Sequence, residues 1–250
     1  MHEHELWVTA LFNDHLAGVA NGILTAVGLP AQTRPWANYI TMELVVAAFI
    51  IVLFGMLKPK LSMASPGGLQ HAMEGVHGFL TDTAHDNIHH GHRKFVPFVG
   101  TLFFFVLFAN LIGIIPTFES PTMFPPVPAG LALAAFLYYN IKGFGEGGIG
   151  YLKQFMGPDM GFPSFGKIAM ALLMIPIEIV SHMARPISLT IRLFANMFAG
   201  EQVTLVFLGL TYIGVPVIFF GLHVFVSFVQ AFVFALLTTI YVGSAVSHEH

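Results

Sequence analysis

An all-α protein that crosses a bilayer several times is what this chain predicts, and three observations carry the prediction. Charged residues make up 9% of the 250 positions and hydrophobic ones 56%, with a mean hydropathy of +0.77, whereas a soluble domain carries roughly a quarter charged residues. Apolar runs of about twenty residues recur, the length a helix needs to cross the hydrocarbon with its backbone hydrogen bonds satisfied internally. The basic residues gather between those runs, mostly on one side of the resulting arrangement.

Composition also excludes classes of function. There are no cysteines, so neither disulfides nor thiol chemistry is expected. A net charge of −3 with scattered basic residues does not suit nucleic acid. Gly143–Gly150 lacks the Lys-Ser/Thr that completes a phosphate-cradling loop, so nucleotide chemistry is not expected of this chain. The start, Met1-His-Glu-His-Glu, is acidic where a secretory leader is basic, and the first apolar run is expected to be retained.

Taken in order, residues 1–37 are polar and interrupted by Gly18, Gly22, Gly28, Pro30 and Pro35. They read as an extramembrane arm with a weakly amphipathic piece at 6–16, ahead of a membrane domain over 38–250. Residues 38–57 form the first span, ended by Lys58-Pro59-Lys60. Over about 66–94, Leu69, Met73, Val76, Leu80, Ala84 and Ile88 recur every three or four positions among His, Glu, Asp and Thr. That pattern predicts an amphipathic helix lying in the interface. Residues 95–115 form a second span containing Asn110, a Pro-rich loop follows, and 129–142 return as a shorter span ending at Lys142. Gly143–Gly166 reads as an aqueous loop. Residues 167–208 combine a proline-broken lead-in with the helix of Arg192, and 211–246 form the last span, giving about five crossings. Lys58, Lys60, Arg93, Lys94, Lys142, Lys153 and Lys167 share one side against Arg34 on the other, which predicts an outside amino terminus and a cytoplasmic carboxyl terminus.

Within the apolar final third lie polar residues that need a reason. Arg192 sits among Leu189, Ile191, Leu193 and Phe194 with no acid within a helical turn. Guanidinium keeps its proton, and an unpaired charge at bilayer depth costs at least about 2.5 kcal/mol. Either Arg192 snorkels to the headgroups, or it meets a partner from another helix or subunit. Ser188, Ala195, Asn196 and Ala199 share its helical face, which is small and polar and suited to close approach by a second helix. Glu201, nine residues on, points to the opposite face at a depth about 13 Å away. His223, Ser227 and Gln230 fall on one stripe, readable as a wettable proton path or as a polar seam between helices. Glu178 and His182 stand at i and i+4, either a second acidic vestibule or a plain Glu–His pair. With Glu201 and His223 they make a set of ionisable groups able to relay protons. His85, His89 and His92 share a face, but the segment needs a polar face anyway and lacks a closed ligand set, so no metal or cofactor is expected. Glu119, in the Pro-rich loop, reads as solvated.

The stretch Pro186-Ile-Ser-Leu-Thr-Ile-Arg-Leu-Phe-Ala-Asn-Met-Phe-Ala-Gly-Glu201 closely resembles the signature of subunit a of the F-type ATP synthases. Gln230-Ala-Phe-Val-Phe-Ala-Leu-Leu-Thr-Thr-Ile-Tyr241 resembles its carboxy-terminal motif, and Asn110-Leu-Ile-Gly-Ile-Ile-Pro116 is similar too. The likeness covers about 95–243. It implies that the family's essential arginine is Arg192, its conserved amide Asn196 and its channel acid Glu201, with Glu178, His223 and Gln230 at the other channel positions. At Gly113 some members carry an acid near the outer mouth. This chain does not, and Glu119 is a candidate stand-in.

The resemblance further implies a stator in a bacterial inner membrane, beside a ring of c subunits whose carboxylates supply the partner Arg192 lacks, with the b-subunit peripheral stalk and the rest of the F0F1 complex as further partners. Two half-channels would load and unload those carboxylates, and the last two helices would be long and tilted against the rotor. Such a subunit is not an enzyme by itself. The rival from another class is a secondary transporter that uses Arg192 for an anionic substrate, which predicts an inverted repeat that the sequence does not display.

Overall fold

The computed structural model describes residues 5–62, 67–88, 91–115, 117–148, 150–151, 164–210 and 214–246, with side chains from 172 onward in the segment that begins at 164. These form seven α-helices and no strand: α1 (Trp7–Ala26), α2 (Asn38–Leu57), α3 (Gly68–Asn87), α4 (Val96–Leu111), α5 (Pro126–Gly147), α6 (Ser164–Leu210) and α7 (Val215–Val246). Among the described residues, four regions are long and apolar enough to cross a bilayer: Asn38–Lys60, Val96–Ile114, Leu172–Leu210 and Val215–Val246. The fifth expected crossing, α5, has 22 residues but spends Tyr138, Tyr139, Asn140, Lys142 and Glu146 within them, which dilutes its hydropathy.

The amino-terminal segment holds more helix than expected. α1 runs on through Gly18 and Gly22, each of which costs a helix only about 1 kcal/mol. It stops at Gly28, whose φ of +84° suits glycine. There the amides of Gly28 and Leu29 turn back to the carbonyls of Thr25 and Leu24, closing the last turn. Its other face is tied to the start of α2. Thr9 and Thr41 hydroxyls lie 2.7 Å apart, Asn13 brackets Trp36 through that residue's N–H and carbonyl, and Glu5 pairs with Arg34.

The core forms where α4, α5, α6 and α7 meet. Phe103 and Val106 from α4, Ala132 and Ala135 from α5, Leu193 and Met197 from α6, and Ala231, Phe234 and Ala235 from α7 are all essentially inaccessible. Paired alanines on α5 and α7 let the backbones approach closely, and van der Waals packing of this kind is what associates helices in lipid. α3 buries Gln70, Leu80 and Ala84 and leaves its histidines and acids outward. Its end abuts α7, where a Cβ on Gly243 would stand 2.3 Å from the Asn87 carbonyl.

Residues 164–210 form one helix with Pro176 and Pro186 inside it, not a broken lead-in followed by a second helix. A proline removes a single backbone bond, and in a membrane helix neighbouring groups make up the loss. α5 likewise extends past both ends of 129–142, so the expected aqueous loop loses its first residues to helix, and 152–163 lie outside the described residues. At 1.5 Å per residue α6 and α7 are about 70 and 48 Å long, well beyond the roughly 30 Å of hydrocarbon.

Candidate functional site

α6 docks through Leu189, Leu193 and Met197, all buried. Ser188, Ile191, Ala195, Asn196 and Ala199 point outward, and Arg192 lies half-buried at the border. The small polar face expected around Arg192 is thus open. Among the described residues no carboxylate or other acceptor of this chain pairs with the guanidinium. One turn away, Asn196 Nδ2 donates to Gln230 Oε1 at 2.8 Å, joining α6 to α7. Ser227, on the same α7 stripe as Gln230 and His223, is fully buried with its Oγ unpartnered.

Beyond Ser227 the stripe reaches the C-terminal end of α4. His223 Nε2 lies 3.2 Å from the Asn110 carbonyl, and Asn110 Oδ1 accepts from Thr122 Oγ1 at 2.6 Å. Ser120 Oγ donates to the Ala109 carbonyl and sits 2.8 Å from the Thr122 hydroxyl. Asn110, Ser120 and Thr122 are completely inaccessible, and Asn110 Nδ2 has no partner. Glu201 also has a buried, unpartnered Oε2, and the Glu119 carboxylate is near enough to act on its charge. Buried polar atoms without protein partners are where ordered water resides. The reading of Glu119 as solvated is therefore corrected: folding of the 117–125 turn brings it half-buried beside Glu201. The same turn accounts for Gly113. A Cβ there would stand 3.0 Å from Ser120 Cβ and 3.1 Å from its backbone nitrogen, so a larger residue at 113 requires the turn at Ser120 to give way by a few tenths of an ångström.

At the opposite end of α6, no hydrogen bond or ion pair joins Glu178 to His182 among the described residues, although the carboxylate is near enough to act on the imidazole's charge. Glu178 Oε1 lies 4.0 Å from Arg185 Nη2, and that guanidinium rests over the Tyr241 ring at 5.1 Å. His182 Nε2 is 3.0 Å from Asn140 Oδ1 and 3.4 Å from Tyr139 Oη. Asn140 Nδ2 donates to the Phe136 carbonyl, which turns its oxygen toward the imidazole and makes Nε2 the donor. The four ionisable groups expected as one relay are instead split between two clusters. Glu178 and Glu201 are 23 residues apart on one helix, about 34 Å.

Arg185, Tyr139, Asn140, Ser120 and Thr122 were not singled out by sequence. Arg185 carried a usable signal, since Glu178, Arg185 and Arg192 recur every seven residues on one stripe. The expected histidine face does not form on one helix: α3 ends at Asn87 and carries only His85 of the three, His92 follows in a short 3-10 turn with its ring centroid 5.0 Å from that of His85, and His89 lies outside the described residues. Among the described residues no three ligands converge on a metal position.

Comparison with known proteins bears on all of this. Residues 40–243 match the family model described as ATP synthase A chain. The chain is 58% identical over 241 residues to an ATP synthase subunit a of Solibacter usitatus, covering 96% of this chain and 100% of that one. It is 42% identical to that of Koribacter versatilis, with 99% of each covered, and 39% to that of Bdellovibrio bacteriovorus, with 94% and 93% covered.

Proposed function

Since the chain belongs to the ATP synthase A chain family, and so is the proton-translocating stator subunit of a membrane sector and not itself catalytic, we propose that Arg192 is the charge that faces the rotor. One observation carries this. The guanidinium is half-buried, has no acceptor among the described residues of its own chain, and borders an open strip of small side chains at Ser188, Ala195, Asn196 and Ala199. A cation so placed is stabilised by an acid brought to it by another subunit, and the carboxylates of a c-subunit ring have that chemistry. An anionic-substrate transporter is not favoured, as it leaves the family unexplained.

On this reading, Glu201, His223 and the Asn110–Thr122 network line the outer half-channel, with Glu119 at its entrance. Glu178 and His182 line the inner one. Asn196, Gln230 and Ser188 form the seam between them, where Arg192 attracts each deprotonated ring carboxylate, displaces its proton and blocks a direct leak. Each proton that crosses the field releases about 2.3 kcal/mol per 100 mV, which turns the ring. The amino terminus is outside and the carboxyl terminus cytoplasmic, in a bacterial membrane, with the b-subunit stalk holding the stator. Arg192→Ala is expected to abolish both ATP-driven proton pumping and proton-driven synthesis while the complex still assembles. Coupled activity retained in assembled Arg192→Ala complexes would overturn the proposal.

A further inference from the structure

Arg185 is the one other arginine in α6, and it sits in the same register as Arg192. Seven residues separate Glu178 from Arg185 and seven more separate Arg185 from Arg192. At 100° per residue, seven steps return to within about 20° of the same direction, some 10 Å along the axis. All three side chains are half-buried. Arg192 has no acceptor among the described residues, whereas Arg185 is held by the Glu178 carboxylate at 4.0 Å and by the face of Tyr241 from α7 at 5.1 Å, with the Tyr139 hydroxyl of α5 close by. A planar guanidinium can stack on a ring and present N–H groups to a carboxylate at once, which an ammonium does less well. The groups that face this pair from the packed elements are Tyr241 from α7, Tyr139 and Asn140 from α5, and His182 from α6 itself. His182 is already engaged with the two α5 residues.

We propose that Arg185 is a positioning residue of the inner proton path: clamped on Tyr241, its guanidinium holds the Glu178 carboxylate against the α6–α7 seam instead of letting it swing into the surroundings. Arg185 does not itself carry the proton. It keeps the acceptor in place, and its pairing with Glu178 leaves Arg192 as the uncommitted charge on the stripe for the rotor. This rests on the assignment of Glu178 to the inner path.

The test uses whole complexes in inverted membrane vesicles, measuring ATP-driven pumping and, after removal of the soluble sector, passive proton conduction, with assembly checked by subunit content. A misplacement of about 1 Å can cost on the order of a hundredfold in a proton-transfer step, so Arg185→Gln is expected to lower both rates about tenfold or more. Arg185→Lys should keep most of the rate, Glu178→Gln should match Arg185→Gln, and the double variant should be no slower than either single one. Exchange of the charges, Glu178→Arg with Arg185→Glu, should recover part of the loss seen in each reversal alone. Full rates in Arg185→Gln, or losses that simply multiply with those of Glu178→Gln, would overturn the inference. Should Arg185→Gln fail to assemble, Tyr241→Leu decides, because it removes the ring and leaves both charges: reduced conduction supports the clamp and full conduction overturns it. Full pumping in Glu178→Gln would remove the inference together with that residue's assignment, yet leave the role of Arg192 to stand or fall on Arg192→Ala.

Discussion

An arginine cannot leave a membrane by losing its proton, and that single property makes position 192 legible in the bare sequence: apolar neighbours, no acid one turn away, and therefore a partner elsewhere. Asn196, His223 and Gln230 were legible for a related reason, as polar groups at helical spacing in apolar runs. Glu119 and Arg185 were legible only in part, the first as a candidate stand-in for an acid at the outer mouth and the second as the middle of a seven-residue recurrence. Glu119 owes its place to a turn that brings a loop residue beside Glu201, and no local period encodes such a return. Arg185 pairs across seven residues, outside the i±3 and i±4 positions at which helical charge pairs are normally sought. The buried, unpartnered Oε2 of Glu201 and the His223–Asn110 contact put both side chains where water and protons would pass. Glu201→Gln and His223→Ala should therefore slow proton flux by about a hundredfold or more, the usual worth of a proton-transfer group, without loss of assembly. Unchanged flux in both variants would return the stripe to a structural seam.

At the scale of elements, uniform apolarity specified α2 and α4 well, because a helix hydrophobic all round can only be buried or lipid-facing. The ends of α5 and the continuity of α6 were harder to read. Prolines at 176 and 186 read as breaks, but in a helix surrounded by other helices a missing N–H costs one bond and not the element. The fit of α3 against α7 also escaped the sequence, since a lone glycine near the end of a span does not announce what lies on it. Gly243 is where α7 admits the end of α3, with the Asn87 carbonyl in the space of a Cβ. Gly243→Ala should overpack that contact at a cost of about 1–3 kcal/mol, seen as a lower unfolding temperature of the detergent-solubilised protein. An unchanged unfolding temperature would mean that α3 is free to move off α7.

Across the whole molecule the polar groups fall into three levels along α6. Glu201 with Glu119, His223 and Asn110 mark one end, Glu178 with Arg185, His182 and Tyr241 mark the other, and Arg192 with the Asn196–Gln230 bridge lies between. The outer pair of levels is separated by about 34 Å of helix, close to the thickness of the hydrocarbon. On the proposed reading, a proton delivered at one level is carried past Arg192 by something that moves. The surface it would move against is the exposed strip of Ser188, Ala195, Asn196 and Ala199.

The chain has no cysteine of its own, which permits a direct measurement of that surface. With one cysteine placed at Ser188 or at Asn196, and another beside the membrane carboxylate of the c subunit, oxidation of native membranes should give a high-yield cross-link between the two subunits. Failure of both positions to cross-link in assembled complexes would contradict a rotor-facing Arg192.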